Sequence, residues 1–259
     1  MSEQYNFFEK HLNKKAKAIL DLGFGSGRDS LYFIKKGYDV YAIDPEKDFC
    51  DNAVKLGINT AFEDFAWNFG NLMLIRILNS INDLAAGIYS IVFSVEVLAV
   101  VVIASIGNGT MTIASEARGS KDLKMYKEIC KISYALCVLV ALIALGICIA
   151  FPDFILRMFT KDEGIIASCG FYLILVCINL FGKSANIIIG NGIRGSGNTV
   201  WMFATQLFGT VFIIGLASLF VYVFNMEIVG VFMAVIVDEI VRAFINYAKL
   251  HHIIKKWEQ

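Results

Sequence analysis

The chain has 259 residues, 57% of them hydrophobic, and its 23 basic side chains balance its 23 acidic ones. Soluble domains are about 45–50% apolar. The apolar share of 57% and the mean hydropathy of +0.64 therefore exclude an ordinary soluble protein. The zero net charge argues against a nucleic-acid partner, and the cysteine and histidine spacing predicts no metal site. Residues 1–65 are charged and mixed, whereas 84–248 hold long apolar runs separated by short charged gaps.

The first elements in the chain predict a small βαβα unit. Apolar runs that end in Asp or Gly predict strands at 16–23 and 38–45, and SLYFIKKG and KDFCDNAVKLG predict the two helices. The segment INTAFEDF predicts a weak third strand. The turn GFGSGR follows the first strand, where glycines let a ligand approach the backbone at a helix N-terminus.

This glycine pattern, D-x-G-x-G-x-G, resembles the cofactor loop of class I S-adenosylmethionine-dependent methyltransferases, in particular the tellurite-resistance-type group. The resemblance implies that the loop lines S-adenosylmethionine and that a carboxylate after the second strand holds its ribose. The residues so predicted to bind the cofactor are Asp21, Gly23, Gly25, Gly27 and Asp44. The resemblance covers about 10–65 and lacks the later strands and substrate motifs. We therefore expect no catalytic residue and no methyl transfer by this segment alone.

Five apolar stretches follow, and the hydrocarbon core of a bilayer takes about 20 helical residues. They are 84–106, 132–151, 165–189, 200–224 and 228–248. A shorter stretch at 66–81 contains Arg76 and predicts a short or tilted helix around 68–82. The predicted fold class is mainly α: a polytopic bundle of five full transmembrane helices and a truncated sixth, preceded by a small, partial Rossmann-like α/β unit.

Basic residues mark the expected cytoplasmic side of this bundle. The gap at 118–131 holds five basic residues, the third gap holds Arg194, and the tail after Ala248 holds three, whereas the gap at 225–227 holds none. We therefore expect a multi-pass protein of a bacterial-type inner membrane, surrounded by lipid, with a cytoplasmic C-terminus. The side of the membrane that holds the N-terminus depends on whether 66–81 crosses the membrane. This question stays open.

Polar residues inside the spans are the candidates for function, because charge at membrane depth costs at least about 2.5–3.5 kcal/mol and normally faces a bundle interior or a wet cavity. The predicted ion-coupling residues are Glu96, Lys183, Asn186, Asp238 and Glu239. Among them Glu96 is the best coupling carboxylate. Structural alternatives stay open: Glu96 pairs with Lys183, or Asp238 pairs with a basic residue four positions later on one helix face.

Three segments of the membrane part resemble the multidrug and toxic compound extrusion (MATE) family of cation-coupled antiporters. They are the span and turn at 84–124 with its central glutamate, NIIIGNGIRGSGNT at 186–199, and the ending at 237–257. In the second segment Asn198 stands where the family usually has Asp. The resemblance covers about 70–259. It implies the second six-helix lobe of a twelve-helix transporter that exports small organic cations in exchange for Na⁺ or H⁺.

The sequence thus divides into a methyltransferase-like segment at 1–65, a junction with a truncated helix at 66–83, and a MATE-like lobe at 84–259. One lobe has nothing to rock against during alternating access, so we expect a second transporter lobe or a homodimer as partner. Two alternatives to transport stay open. In the first alternative the chain is a methyltransferase, either a fragment or attached to the membrane. In the second it is an inactive fusion of two gene fragments.

Overall fold

The structure is a computed structural model that describes residues 18–22, 33–34, 38–43, 47–82 and 84–258, with side chains within 33–34, 38–40, 61–82 and 84–258. The chain divides into two compact units, Met1–Asn59 and Thr60–Gln259.

In the first unit, strands β1 (Ala18–Leu22) and β2 (Asp39–Ile43) pair in parallel. The register runs from Ala18 opposite Asp39 to Leu22 opposite Ile43. A parallel pair needs a crossover connection, and residues 33–34 of that connection are helical. The two strands predicted from the apolar runs are therefore confirmed.

Helices make up most of the described chain after β2. They are α1 (Lys47–Asn79), α2 (Ala85–Gly119), α3 (Leu123–Ala150), α4 (Pro152–Arg157), α5 (Glu163–Gly195), α6 (Thr199–Ser218), a π-helical turn (Leu219–Val223) and α7 (Glu227–Glu258). The five apolar stretches of the sequence lie on α2, α3, α5, α6 with the π-helical turn, and α7.

The predicted third strand at 58–65 is wrong, because these residues belong to helix α1. The buried positions of α1 repeat every three or four residues, as on a helix face: Glu63, Ala66, Gly70, Leu74 and Ile77. A strand would bury every second residue, yet Phe65 is 67% exposed. The alternation in INTAFEDF is too short to distinguish the two periods. The helix expected around 68–82 is thus the last part of a longer helix.

Four helices in the described part of the chain are long and apolar enough to cross a membrane: α2, α3, α5, and α6 with the π-helical turn. In the most apolar 18-residue stretch of each of these helices, only 22% to 39% is buried inside the protein. Their outer faces carry exposed apolar side chains, among them Leu98, Val101, Leu142 and Val211. Contiguous apolar surface of this kind is suited to lipid. The second unit is therefore an integral membrane helix bundle.

The stretch at 228–248 forms the middle of α7, which is more polar than those four helices. Asp238 and Glu239 on this helix are nevertheless only 2% and 8% exposed. The polar face of α7 therefore points into the bundle.

Close helix contacts bring the polar positions of α2 and α5 together. A Cβ atom at Gly195 would lie 2.8 Å from both the Met111 carbonyl oxygen and the Ala114 Cβ. A Cβ at Gly107 would lie 2.6 Å from the Asn191 side-chain nitrogen. Small residues let helix backbones approach closely in lipid. Helix α5 also packs against α3 and α7, so it borders most of the bundle interior.

Three tethers join α1 and the residue after it to α5, α6 and the π-helical turn. They are Glu63 with Arg194, Ala66 with Thr210, and Ser80 with Tyr222. The first tether lies before residue 66, inside the segment that the sequence analysis assigned to the methyltransferase-like part. The domain boundaries given there stay a prediction.

Candidate functional site

Glu96 lies near the middle of α2 and is 3% exposed. Two donors from the facing helix α5 meet its Oε1 atom: Lys183 Nζ at 2.7 Å and Asn179 Nδ2 at 2.9 Å. Asn179 and Lys183 are four residues apart and therefore share one helix face. A buried carboxylate needs such partners, because an unpaired charge in an apolar interior is very costly.

Helix α7 contributes two carboxylates and one guanidinium. Arg242 Nε donates to Asp238 Oδ2 at 2.9 Å, and Arg242 Nη2 lies 3.1 Å from Glu239 Oε1. Arg242 Nη1 also donates to Gln206 Oε1 on α6 at 3.2 Å. A planar guanidinium has several donors in fixed directions, so this one side chain joins both acids of α7 to α6.

A row of amides connects these acids to the end of the bundle. Asn186 Nδ2 donates to Glu239 Oε2 at 2.8 Å, and Asn246 Nδ2 donates to Asn186 Oδ1 at 2.7 Å. Trp201 Nε1 then donates to Asn246 Oδ1 at 3.2 Å. Since buried hydrogen-bond networks of this kind fix side-chain orientation, the carboxylate of Glu239 is held from two sides.

The charged residues line one small cavity with a volume of ≈ 50 Å³. They are Glu96, Lys183, Asp238, Glu239 and Arg242, and we name them the central cluster. Aromatic walls come from Trp67 on α1 and from Tyr89 and Phe93 on α2. This volume has room for a small cation or a few water molecules.

The central cluster has an unbalanced charge, because three carboxylates face two cations. Charge buried at membrane depth is costly, and one additional positive charge would neutralise the cluster. The aromatic rings also suit a cation, since ring faces attract positive charge. The arrangement can therefore bind a cation within the bundle.

The structure brings all five predicted ion-coupling residues together: Glu96, Lys183, Asn186, Asp238 and Glu239. It also contains both ion pairs that the sequence left as structural alternatives, since Lys183 contacts Glu96 and Arg242 contacts Asp238. Their roles in ion coupling stay predictions. The sequence analysis missed Asn179 and Gln206, although Asn179 precedes Lys183 by one helical turn.

The predicted cofactor-binding residues belong to the first unit. Asp21 is a residue of β1. Gly23, Gly25, Gly27 and Asp44 lie outside the described residues. Binding of S-adenosylmethionine by these residues stays a prediction.

A second polar group lies where α2 and α5 end and α3 begins. Its members are Glu63, Arg118, Tyr126, Lys127, Arg194, Trp257 and Glu258, and we name it the terminal cluster. Tyr126 Oη donates to the Gly192 carbonyl at 2.8 Å, and the Arg118 guanidinium carbon lies 4.7 Å from the Trp257 ring centroid. Burial raises the pKa of Glu63, whereas the neighbouring Arg194 lowers it.

The segment NIIIGNGIRGSGNT forms the end of α5 and the turn into α6. Gly197 in this turn has φ +88, a left-handed conformation that favours glycine. Asn198 follows and donates from Nδ2 to Ser196 Oγ at 2.9 Å. The glycine of this motif thus lets the chain reverse direction between two membrane helices.

Two family models match the chain. The MatE model matches residues 60–220, which is more than half of the chain. The model of the tellurite resistance protein TehB matches residues 9–92. The resemblances of both parts are therefore confirmed, and a transporter-like part follows a methyltransferase-like part in one chain.

Relatives with known sequences or structures agree with the MatE match. The uncharacterized transporter YisQ of Bacillus subtilis (strain 168) is 23% identical over 208 residues, which cover 78% of this chain and 45% of YisQ. An outward-facing MATE multidrug transporter of the MOP superfamily aligns with a TM-score of 0.79 at 14% identity, over 88% of this chain and 52% of its own. A MOP-superfamily transporter from Pyrococcus furiosus aligns with a TM-score of 0.78 at 14% identity, over the same shares. The chain therefore spans about half the length of these proteins.

Proposed function

Because the chain belongs to the MatE family of transporters, we propose that it forms one lobe of an efflux antiporter that exchanges organic cations for Na⁺ or H⁺. The central cluster carries this proposal, since it places an unbalanced negative charge beside aromatic rings in a cavity inside a membrane bundle. A substrate cation and a coupling cation can compete for this one charge. Such competition is the physical basis of exchange.

A second lobe completes the proposed transporter. Alternating access is the rocking of one helix bundle against another around a fixed site, and the chain spans about half the length of its transporter relatives. We propose that a second copy of the chain, or a separate lobe, supplies the other half within the lipid bilayer.

The proposed orientation places the C-terminus in the cytoplasm of a bacterial-type cell. In support, the basic residues of three separate segments meet at one end of the bundle. Arg118 at the end of α2 and Lys127 at the start of α3 contact the last turn of α7, and Arg194 lies at the end of α5. Basic residues concentrate on the cytoplasmic side.

Transport by the purified chain in proteoliposomes tests the proposal. With a Na⁺ or pH gradient imposed across the membrane, we expect a fluorescent organic cation to move opposite to the ion that flows down this gradient. The gradient should dissipate faster when the organic cation is present. Glu96→Gln should abolish this coupling, because the variant removes the negative charge that the two cations share. Asp153→Asn is the matched control, since Asp153 is an exposed carboxylate on α4. Undiminished coupled efflux by the Glu96→Gln variant would contradict the assigned role of Glu96.

A second candidate function concerns the first unit, where the TehB match and the parallel strand pair favour S-adenosylmethionine binding. Titration calorimetry with S-adenosylmethionine on the purified chain tests it. Binding that is lost in the Asp44→Ala variant would support a residual cofactor site, and no heat of binding would leave the transporter lobe as the functional part.

A further inference from the structure

Six basic side chains at the end of the bundle that carries the terminal cluster form no ion pair with any described residue. They come from the end of α2 with the turn after it, from α3, and from the last turns of α7. We name these six the basic rim: Arg118, Lys121, Lys131, Lys249, Lys255 and Lys256. All but Lys249 are exposed. The carboxylates of the described chain therefore leave these charges available to a partner.

Two bases of the rim lie on indole rings. Lys249 Nζ lies 4.7 Å from the ring centroid of Trp201, and the guanidinium carbon of Arg118 lies 4.7 Å from that of Trp257. A cation–π contact orients a cation but leaves its charge and its N–H donors in place. Neither base donates a hydrogen bond to a described acceptor. The rim thus holds two oriented cations whose donors are available to an anion.

The rim lies where the apolar outer surface of the bundle ends. On α3, Lys131 directly precedes Ile132, which is 56% exposed. On α7, Phe244 and Tyr247 are 71% and 59% exposed, and Lys255 follows on the same helix face about three turns after Phe244. Lipid chains cover apolar side chains, and tryptophan prefers the level of the headgroups. A phospholipid beside α3 or α7 therefore has its phosphate at the depth of the rim.

The opposite end of the bundle, where α1 and α3 end and α5 and α7 begin, has a different charge balance. Both Nη atoms of Arg157 donate to Glu163 there, at 2.7 and 2.9 Å. The other two bases, Arg76 and Lys161, form no ion pair with a described residue. Three acids of this end also have no ion-pair partner in the described part of the chain: Asp153, Asp162 and Glu227. An anionic headgroup is therefore attracted to the basic rim and not to this end.

We propose that the basic rim binds the headgroups of anionic phospholipids, a role that goes beyond the proposed transport function and does not depend on it. The phosphate oxygens accept charge-assisted hydrogen bonds from Arg118 and Lys249. The exposed lysines of the rim attract further anionic lipid through their summed charge. The acyl chains of the same lipid cover the apolar surface beside Lys131 and Lys255. A soluble phosphate compound has no such chains, so the ligand is a lipid.

Quenching of tryptophan fluorescence by brominated lipids tests this proposal, because bromine quenches at close range. In the Trp67→Phe variant the remaining tryptophans are Trp201 and Trp257, and both contact bases of the rim. In a nonionic detergent, we expect brominated phosphatidylglycerol to quench them at a several-fold lower concentration than brominated phosphatidylcholine. Sodium chloride at about 1 M should reduce this preference, because salt screens exposed charges.

Two matched double variants in the same background locate the binding site. Lys255→Gln with Lys256→Gln should lower the preference for phosphatidylglycerol by at least about fivefold, because one base near an anionic surface contributes about this factor. Lys255→Arg with Lys256→Arg should retain the preference, since the charges remain. The control is Arg76→Gln with Lys161→Gln, which removes two exposed bases at the other end of the bundle. It should leave the preference unchanged.

Equal quenching by the two lipids would overturn the proposal. An equal loss of preference in the control double variant would also overturn it, because net charge alone would then explain the binding. If millimolar glycerol phosphate displaced brominated phosphatidylglycerol, the ligand of the rim would be a soluble phosphate compound and not a lipid. Since the measurement needs no transport, a chain that prefers phosphatidylglycerol but exports no cation would contradict the proposed function alone.

Discussion

The central and terminal clusters both use charged side chains of α2, α5 and α7, but their charges are arranged differently. In the terminal cluster each acid has its own cation, Arg194 for Glu63 and Lys127 for Glu258, and a third cation, Arg118, lies over the Trp257 ring. In the central cluster, three acids share two cations beside a cavity. Charges that pair one to one fasten helix ends together. An excess of acids over cations inside a membrane bundle indicates a place where a further cation binds.

Among the variants that test this comparison, Lys183→Met is expected to lose the most unfolding free energy. The variant leaves Glu96 buried without its cation, and breaking a buried ion pair costs about 3–5 kcal/mol. The measurement is the free energy of unfolding in detergent. The double variant with Glu96→Gln should recover most of the loss, because residue 96 then carries no charge that lacks its cation.

Lys161→Met is the matched control for this loss, since Lys161 is exposed in the gap between α4 and α5. We expect no measurable change for it. If Lys183→Met were as stable as the control, or if the double variant were no better than the single one, the central pair would be energetically equivalent to a surface pair.

A smaller loss is expected from Gly195→Ala, where α2 and α5 meet near the terminal cluster. The added methyl group would lie 2.8 Å from the Met111 carbonyl oxygen, so the helices must move apart. Overpacking of this kind typically costs about 1–3 kcal/mol. Gly146→Ala is the control, because a Cβ there has nothing within 4 Å. Equal unfolding free energies for the two variants would show that close packing does not hold this end together.

Tyr126→Phe tests whether the terminal cluster is structural. The variant removes the hydrogen bond of 2.8 Å to the Gly192 carbonyl, for which we expect a loss of about 0.5–1.5 kcal/mol in unfolding free energy. Coupled transport by the chain should be unchanged. Tyr134→Phe is the control, since Tyr134 is 40% exposed. A change in coupling by Tyr126→Phe alone would link the two clusters.

The fold of the membrane part could be predicted from the sequence because length and hydropathy alone identify a lipid-facing helix. The error at 58–65 arose because a short alternating segment fits both a strand and a helix, and the tertiary contacts of Glu63 decided between them. In the site, charges such as Glu96 and Lys183 stood out because burying them is costly. Asn179 and Gln206 did not, since an uncharged amide is less unusual within an apolar run and its partner comes from another helix.

The smallest effect is expected at the Lys127–Glu258 pair, whose side chains are 43% and 48% exposed. The hydrogen bond from Lys127 lowers the pKa of Glu258, so the pair stabilises the folded state at neutral pH and this contribution is lost on acidification. Exposed pairs contribute little because water screens them. We therefore expect Lys127→Met to return the pKa of Glu258 to its ordinary range, measured by NMR of the labelled carboxyl, without a measurable change in stability.

Lys124→Met is the control for this titration, since Lys124 lies 3.9 Å from Glu128 in a separate exposed pair. It should leave the pKa of Glu258 unchanged. A loss of stability by Lys127→Met as large as that of Lys183→Met would mean that one-to-one pairs at the bundle end and shared charges beside the cavity are equally important for folding. An excess of acids in a cluster would then no longer distinguish a binding site from a structural contact, and cation binding would have to be measured directly.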